Sequence, residues 1–134
     1  MYGHLKAAVE ELATALEARG QKVSVFDLAR DDMAEAVEDA FRYDRLVLAS
    51  ITYQGEIFPF MSTFIHTLAE HAYQNRTVAL VEAGSWAPTA AKVMTKELGG
   101  MKDITMAQNK VTVLGSLNDA SRAQIEALAD ELSK

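Results

Sequence analysis

An α/β sandwich is expected for this 134-residue chain: a parallel β-sheet with helices on both faces. Three observations point there. Apolar residues at helical spacing alternate with short extended apolar runs along the whole chain, and strands that alternate with helices join through right-handed crossovers into a parallel sheet. Two of the runs, "RLVLASI" and "TVALVEA", are apolar nearly throughout, as strands covered on both faces must be. Residues 1–134 contain no repeat, low-complexity tract or Pro/Gly-rich linker, so one domain is expected.

The elements follow in order. Leu5, Val9, Leu12 and Leu16 recur at helical spacing, and Gly20 ends that helix. "KVSVFDL" reads as a strand, with Val23, Val25 and Phe26 as its apolar residues. Met33, Ala36, Val37, Ala40 and Phe41 mark a second helix, whose acidic start offers Asp31 or Asp32 as N-cap. "RLVLASI" is the next strand, and Met61, Phe64, Ile65 and Leu68 line a third helix that starts near Pro59. "TVALVEA" leads to a helix through Val93, Met94 and Leu98. "KVTVLGSL" is the last strand, followed by a helix marked by Ile125, Leu128, Ala129 and Leu132. Met33, Met61 and Met94 fall on apolar helix faces as core filler. This order has five helices but four strands, and the missing partner is most simply a strand ahead of Met1.

Composition excludes several chemistries. The chain has no cysteine, so disulfide frameworks, thiolate metal sites and cysteine nucleophiles are out. Its net charge of −6, from 13 basic and 19 acidic residues, argues against nucleic acid and anionic membranes as partners. No apolar run approaches the ~20 residues of a membrane span and no signal peptide opens the chain, so a cytoplasmic location is expected. His66 and His71 would point about 140° apart on a helix of 3.6 residues per turn. His4 stands alone, so no metal site is expected and the histidines are assigned surface or structural roles. The "RLVLAS" strand ends in Ala49-Ser50 with no aspartate to accept a phosphoryl group.

Ligands of open α/β sheets bind beyond the carboxyl ends of the strands. Three segments qualify. "MYGH" lies at a helix N-terminus, where free amides and the helix dipole favour an anion, and Gly3 lets backbone approach a phosphate. "SITYQGEIFPF" carries Thr52, Tyr53, Gln54 and Gly55, with a tyrosine face for an aromatic ligand. "EAGSWAPTAAK" carries Gly84, Ser85, Trp86, the only tryptophan, and Ala87. An anion-binding turn and two aromatic loops at one sheet edge form a slot for a planar ring with a phosphate tail.

In these segments the chain resembles the flavodoxin-like domain of flavodiiron proteins, also called A-type flavoproteins. "MYGH" is similar to the end of the family's Ser-Met-Tyr-Gly-[His/Asn]-Thr phosphate loop. "SITYQGEIFPFM" resembles its Ser-Pro-Thr-Tyr-Asn-Gly segment with downstream Phe-Pro, and "GSWAPTAAK" resembles its third flavin loop. "LNDASRAQIEALADEL" is similar to its closing helix, so the likeness spans essentially the whole chain. The resemblance implies a flavodoxin-like three-layer sandwich with a parallel sheet of order 2-1-3-4-5, strand 1 being absent from this chain. It implies noncovalent FMN, with Tyr2, Gly3 and His4 at the phosphate, Thr52, Tyr53, Gln54 and Gly55 along ring and ribityl chain, and Gly84, Ser85, Trp86 and Ala87 closing the other side. It further implies electron transfer to a diiron metallo-β-lactamase-like domain that reduces dioxygen or nitric oxide. Head-to-tail homo-oligomers and rubredoxin or another electron donor as partner belong to the same expectation. No catalytic acid or base is implied, since the flavin carries the chemistry.

Departures from the pattern weaken the phosphate cradle. Leu5 stands where the family has Thr, the preceding Ser is missing, Ile51 replaces Pro, Gln54 replaces Asn, and Glu56 adds a negative charge. Hydrogen bonds to a charged phosphate are worth ~1.5–3 kcal/mol each, so losing two lowers affinity by orders of magnitude. A cofactor-free fragment with a damaged FMN site is therefore the alternative expectation. A quinone or nitroreductase follows by fold analogy alone, and would oxidise NAD(P)H without a partner. Strands sit ~4.8 Å apart, so an empty central lane leaves its neighbours ~10 Å apart. An altered strand order, a strand borrowed from another chain, or a compromised domain begun at an internal methionine would each follow. The fold is expected to survive, its gap closed by sheet rearrangement or by a partner chain.

Overall fold

The computed structural model describes residues 2–28, 31–43, 45–51, 59–71, 73–74, 76–84, 90–99, 104–114 and 118–133. Along them run α1 (Tyr2–Ala18), α2 (Met33–Arg42), β1 (Arg45–Ile51), α3 (Pro59–Glu70), β2 (Arg76–Gly84), α4 (Ala90–Leu98), β3 (Ile104–Met106), β4 (Val111–Leu114) and α5 (Asp119–Leu132). No helix among the described residues is long and apolar enough to cross a membrane.

The sheet is parallel and β2 is its centre. One edge of β2 pairs with β1 from Arg45↔Thr77 to Ile51↔Ala83. Its other edge is shared: β3 pairs with the first part, Arg76↔Ile104 to Val78↔Met106, and β4 with the last, Val81↔Val111 to Gly84↔Leu114. β3 and β4 are thus two pieces of one lane. Between them β2 advances three residues, Val78 to Val81, while the lane advances five, Met106 to Val111, so two extra residues bulge out. Glu131 of α5 closes the bulge. Its Oε2 accepts from the Gln108 N–H at 2.8 Å, and its Oε1 accepts from the Asn109 N–H at 2.9 Å and from Asn109 Nδ2 at 2.8 Å.

Strand alternation divides the core into two layers. Ile51, Ala79, Val81, Ala83, Val111 and Val113 pack with the apolar stripes of α1 and α5. Leu48, Val78 and Leu80 pack with α2, α3 and α4. The result is a three-layer α/β/α sandwich. The helices follow their sequence signals. Leu5, Leu12 and Leu16 are buried along α1, and Gly20 follows in the left-handed region at φ 85°, which reverses the chain without a Cβ clash. Asp32 is the N-cap of α2, accepting from the Ala34 N–H, and α3 starts at Pro59. Asn118 and Ser121 form a reciprocal capping box on α5.

Three expectations need correction. Residues 21–28, which include "KVSVFDL", form no strand. Val23 still packs on the α1/α5 layer, and Phe26 and Leu28 pack on the α2–α4 layer, but Val25 is 56% exposed. A strand exists through backbone pairing, and no strand among the described residues pairs with this segment. β1 likewise pairs only with β2 among the described residues. The observed β1, β2 and β3/β4 lanes match positions 3, 4 and 5 of the expected 2-1-3-4-5 order. Strand rearrangement does not close the open side of β1 among the described residues. The second correction is "MYGH", expected as a turn before the first helix: Tyr2, Gly3 and His4 are the first turn of α1. The third is β3, an element with no counterpart among the expected strands.

Candidate functional site

The carboxyl edge of the sheet collects the helix starts. α3, α4 and α5 follow β1, β2 and β4, so their N-termini lie there. α1 is placed by its ion pairs. Glu11 meets Arg122, and further along Arg19 meets Glu126 and Asp130, so α1 and α5 run in the same direction. The hydrogen bonds that Arg19 donates to the Glu126 and Asp130 carboxylates raise its pKa above the ordinary value. At the opposite edge, the Arg45 guanidinium at the start of β1 donates to the Leu132 carbonyl at the end of α5. The first turn of α1 therefore lies toward the carboxyl edge of the sheet, where β1, β2 and β4 end.

This geometry brings some expected site residues together. Tyr2, Gly3 and His4 present the N-terminal turn of α1, with no acidic residue in it to compete for the amides. His4 is exposed and Leu5 is buried in the α1/α5 layer, so Leu5 offers no donor to a ligand. Gly84 ends β2, paired with Leu114. Thr52, Tyr53, Gln54, Gly55, Ser85, Trp86 and Ala87 lie outside the described residues, as does Glu56. Their flanks, Ile51 with Pro59 and Gly84 with Ala90, sit at this same edge. His66 and His71 are exposed on and just after α3, and no group of three metal-binding side chains occurs among the described residues.

One residue at this edge escaped the sequence reading. Glu82, 3% exposed, lies near the end of β2 in the row Ser50↔Glu82↔Thr112. Its Oε1 accepts from the Ala91 N–H at 2.9 Å. Its Oε2 accepts from Thr112 Oγ1 at 2.9 Å and meets Lys110 Nζ at 3.3 Å. A buried carboxylate persists only when its oxygens are paired in this way. The available signal was an acid inside the otherwise apolar "TVALVEA".

Solved structures with this arrangement are numerous. The rubredoxin oxygen:oxidoreductase of Desulfovibrio gigas superposes with a TM-score of 0.91 at 17% identity, over 99% of this chain and 33% of that one. The flavodiiron protein of Giardia intestinalis matches with a TM-score of 0.87 at 14% identity, over 98% of this chain and 33% of that one. Flavodoxin 1 of Bacillus cereus matches with a TM-score of 0.82 at 15% identity, over 98% of this chain and 90% of that one. The fold is therefore flavodoxin-like, and the chain spans about a third (33%) of the length of the first two proteins. No protein-family model and no curated protein matches the chain.

Proposed function

We propose that this chain is an FMN-binding, electron-carrying domain of a flavodiiron-type oxidoreductase whose complete form reduces dioxygen or nitric oxide. The observation that carries the reading is the convergence of the α1 N-terminus with the carboxyl ends of β1, β2 and β4 at one sheet edge.

The described residues fit the group. The first turn of α1 has no acidic side chain, so its amides suit a phosphate. The nearby buried charge, Glu82, is balanced by Lys110 and does not oppose an anion unscreened. In this reading the amides of Tyr2, Gly3 and His4 hold the phosphate. Thr52, Tyr53, Gln54 and Gly55 border the ring and ribityl chain. Gly84, Ser85, Trp86 and Ala87 close the other side and exclude water. Bound FMN supplies one- and two-electron transfer, while the protein sets its exposure and potential. No side chain is assigned a proton transfer.

Partners follow from the same reading. The similarity to one third of the Giardia flavodiiron protein supports a diiron metallo-β-lactamase-like domain as electron acceptor. The name of the Desulfovibrio protein supports rubredoxin as donor and oxygen as terminal acceptor. A homo-oligomer in the cytoplasm completes the proposal. The second reading, a cofactor-free fragment, is favoured by one observation: residues 21–28 form no strand and β1 pairs on one side only among the described residues.

An absorbance spectrum of the purified protein, before and after addition of FMN and removal of the excess, separates the two. Flavin bands retained at one per chain are expected. A colourless protein that leaves FMN free assigns the chain to the cofactor-free reading.

A further inference from the structure

We propose that Gln108 and Asn109 form a carboxylate-binding site, and that Glu131 is the ligand the chain itself supplies to it. The inference is independent of the function proposed above.

The site arises from the break in the β3/β4 lane. Up to Ala107, whose N–H donates to the Val78 carbonyl at 2.8 Å, the lane is engaged with β2. It is engaged again from Val111. Between them the bulge turns two successive N–H groups, those of Gln108 and Asn109, toward α5. Successive amides that converge in this way make an anion-binding concavity. The Asn109 side-chain amide adds a third donor. All three end on one carboxylate: Glu131 Oε2 accepts from Gln108, and Oε1 accepts from both Asn109 groups. Lys110, next in sequence, is engaged with Glu82 instead, at 3.3 Å.

The donors do not depend on Glu131 for their place. Thr112, further along the same lane, donates its N–H to Gln124 Oε1 of α5 at 2.7 Å. The end of α5 is held separately, by the buried Leu132 side chain and by Arg45, which donates to the Leu132 carbonyl. Glu131→Ala therefore leaves both walls of the site standing. It removes the γ-methylene and the carboxylate, the atoms of one acetate ion. Free acetate is thus the probe of the site. In the parent the tethered carboxylate already fills it, so added acetate gains no contact there.

The test compares the full chain with its Glu131→Ala and Glu131→Gln variants. Each is unfolded with urea at neutral pH, in sodium acetate and in sodium chloride of equal concentration. In chloride both variants are expected to be less stable than the parent. In Glu131→Ala, rising acetate lowers the unfolding constant along a saturating curve, about tenfold where acetate reaches about ten times its Kd. The Gln108 and Asn109 amides of that variant exchange faster than in the parent in chloride, and acetate slows them again. The parent is equally stable in the two salts. Glu131→Gln still fills the site with its own side chain and is not rescued. A Glu131→Ala variant that does not respond to acetate would overturn the proposal. An acetate effect as large in the parent or in Glu131→Gln would overturn it too, since that is a general solvent effect. If Glu131→Ala is unfolded in chloride, folding on addition of acetate supports the proposal and failure to fold overturns it.

Discussion

His4 and Leu5 stand side by side at the start of α1 and serve opposite ends. Leu5 is 7% exposed and belongs to the core, which explains why a hydroxyl-bearing residue is absent there. His4 is exposed in the turn whose amides are assigned to the phosphate. An acid at this position interacts favourably with the helix dipole but repels a phosphate. His4→Glu is therefore expected to stabilise the protein by ~0.3–1 kcal/mol in thermal unfolding. The same change should weaken FMN about tenfold, or ~1.4 kcal/mol, in a binding titration. A variant that gains stability and keeps its FMN affinity would place the phosphate elsewhere.

Single elements show what the amino-acid order discloses and what it does not. The helices were legible because their stripes are long: the residues that mark α3 and α5, from Met61 to Leu68 and from Ile125 to Leu132, are all buried. β1, β2 and β4 were legible as apolar runs bounded by polar residues. "KVSVFDL" carries strand-forming residues just as clearly, yet forms none, because pairing depends on a neighbour that local pattern does not reveal. β3 spans three residues, too few for alternation to register. Glycine and aromatic residues mark the loops of the proposed site, which lie outside the described residues, whereas Glu82 depends on contacts nine and thirty positions away. The bulge between β3 and β4 depends on Glu131 in the same way. Glu131→Ala strands two backbone amides and one side-chain amide, and is expected to cost ~1–3 kcal/mol in urea unfolding. Because the bulge lies on the lane away from β1, FMN affinity should change little. Unaltered stability would show that water replaces the carboxylate.

At the scale of the molecule, β2 is flanked on both sides, and β1 and the β3/β4 lane are the outer lanes of the sheet among the described residues. β1 has the sequence of a central strand, with Leu48, Ser50 and Ile51 buried, yet only β2 pairs with it among the described residues. A strand edge left without a pairing partner, as that of β1 is among the described residues, is a template for another strand. The purified chain is therefore expected to associate as its concentration rises, read as an increasing mass by light scattering; a constant monomer mass would show that the edge is protected. The two functional readings divide on whether the first turn of α1, proposed as the phosphate site, holds FMN. Titration of FMN with the protein, followed by flavin fluorescence, addresses the matter most directly. Saturable quenching at one FMN per chain is the predicted result. Fluorescence that stays that of free FMN across the titration would contradict the flavin-carrying role.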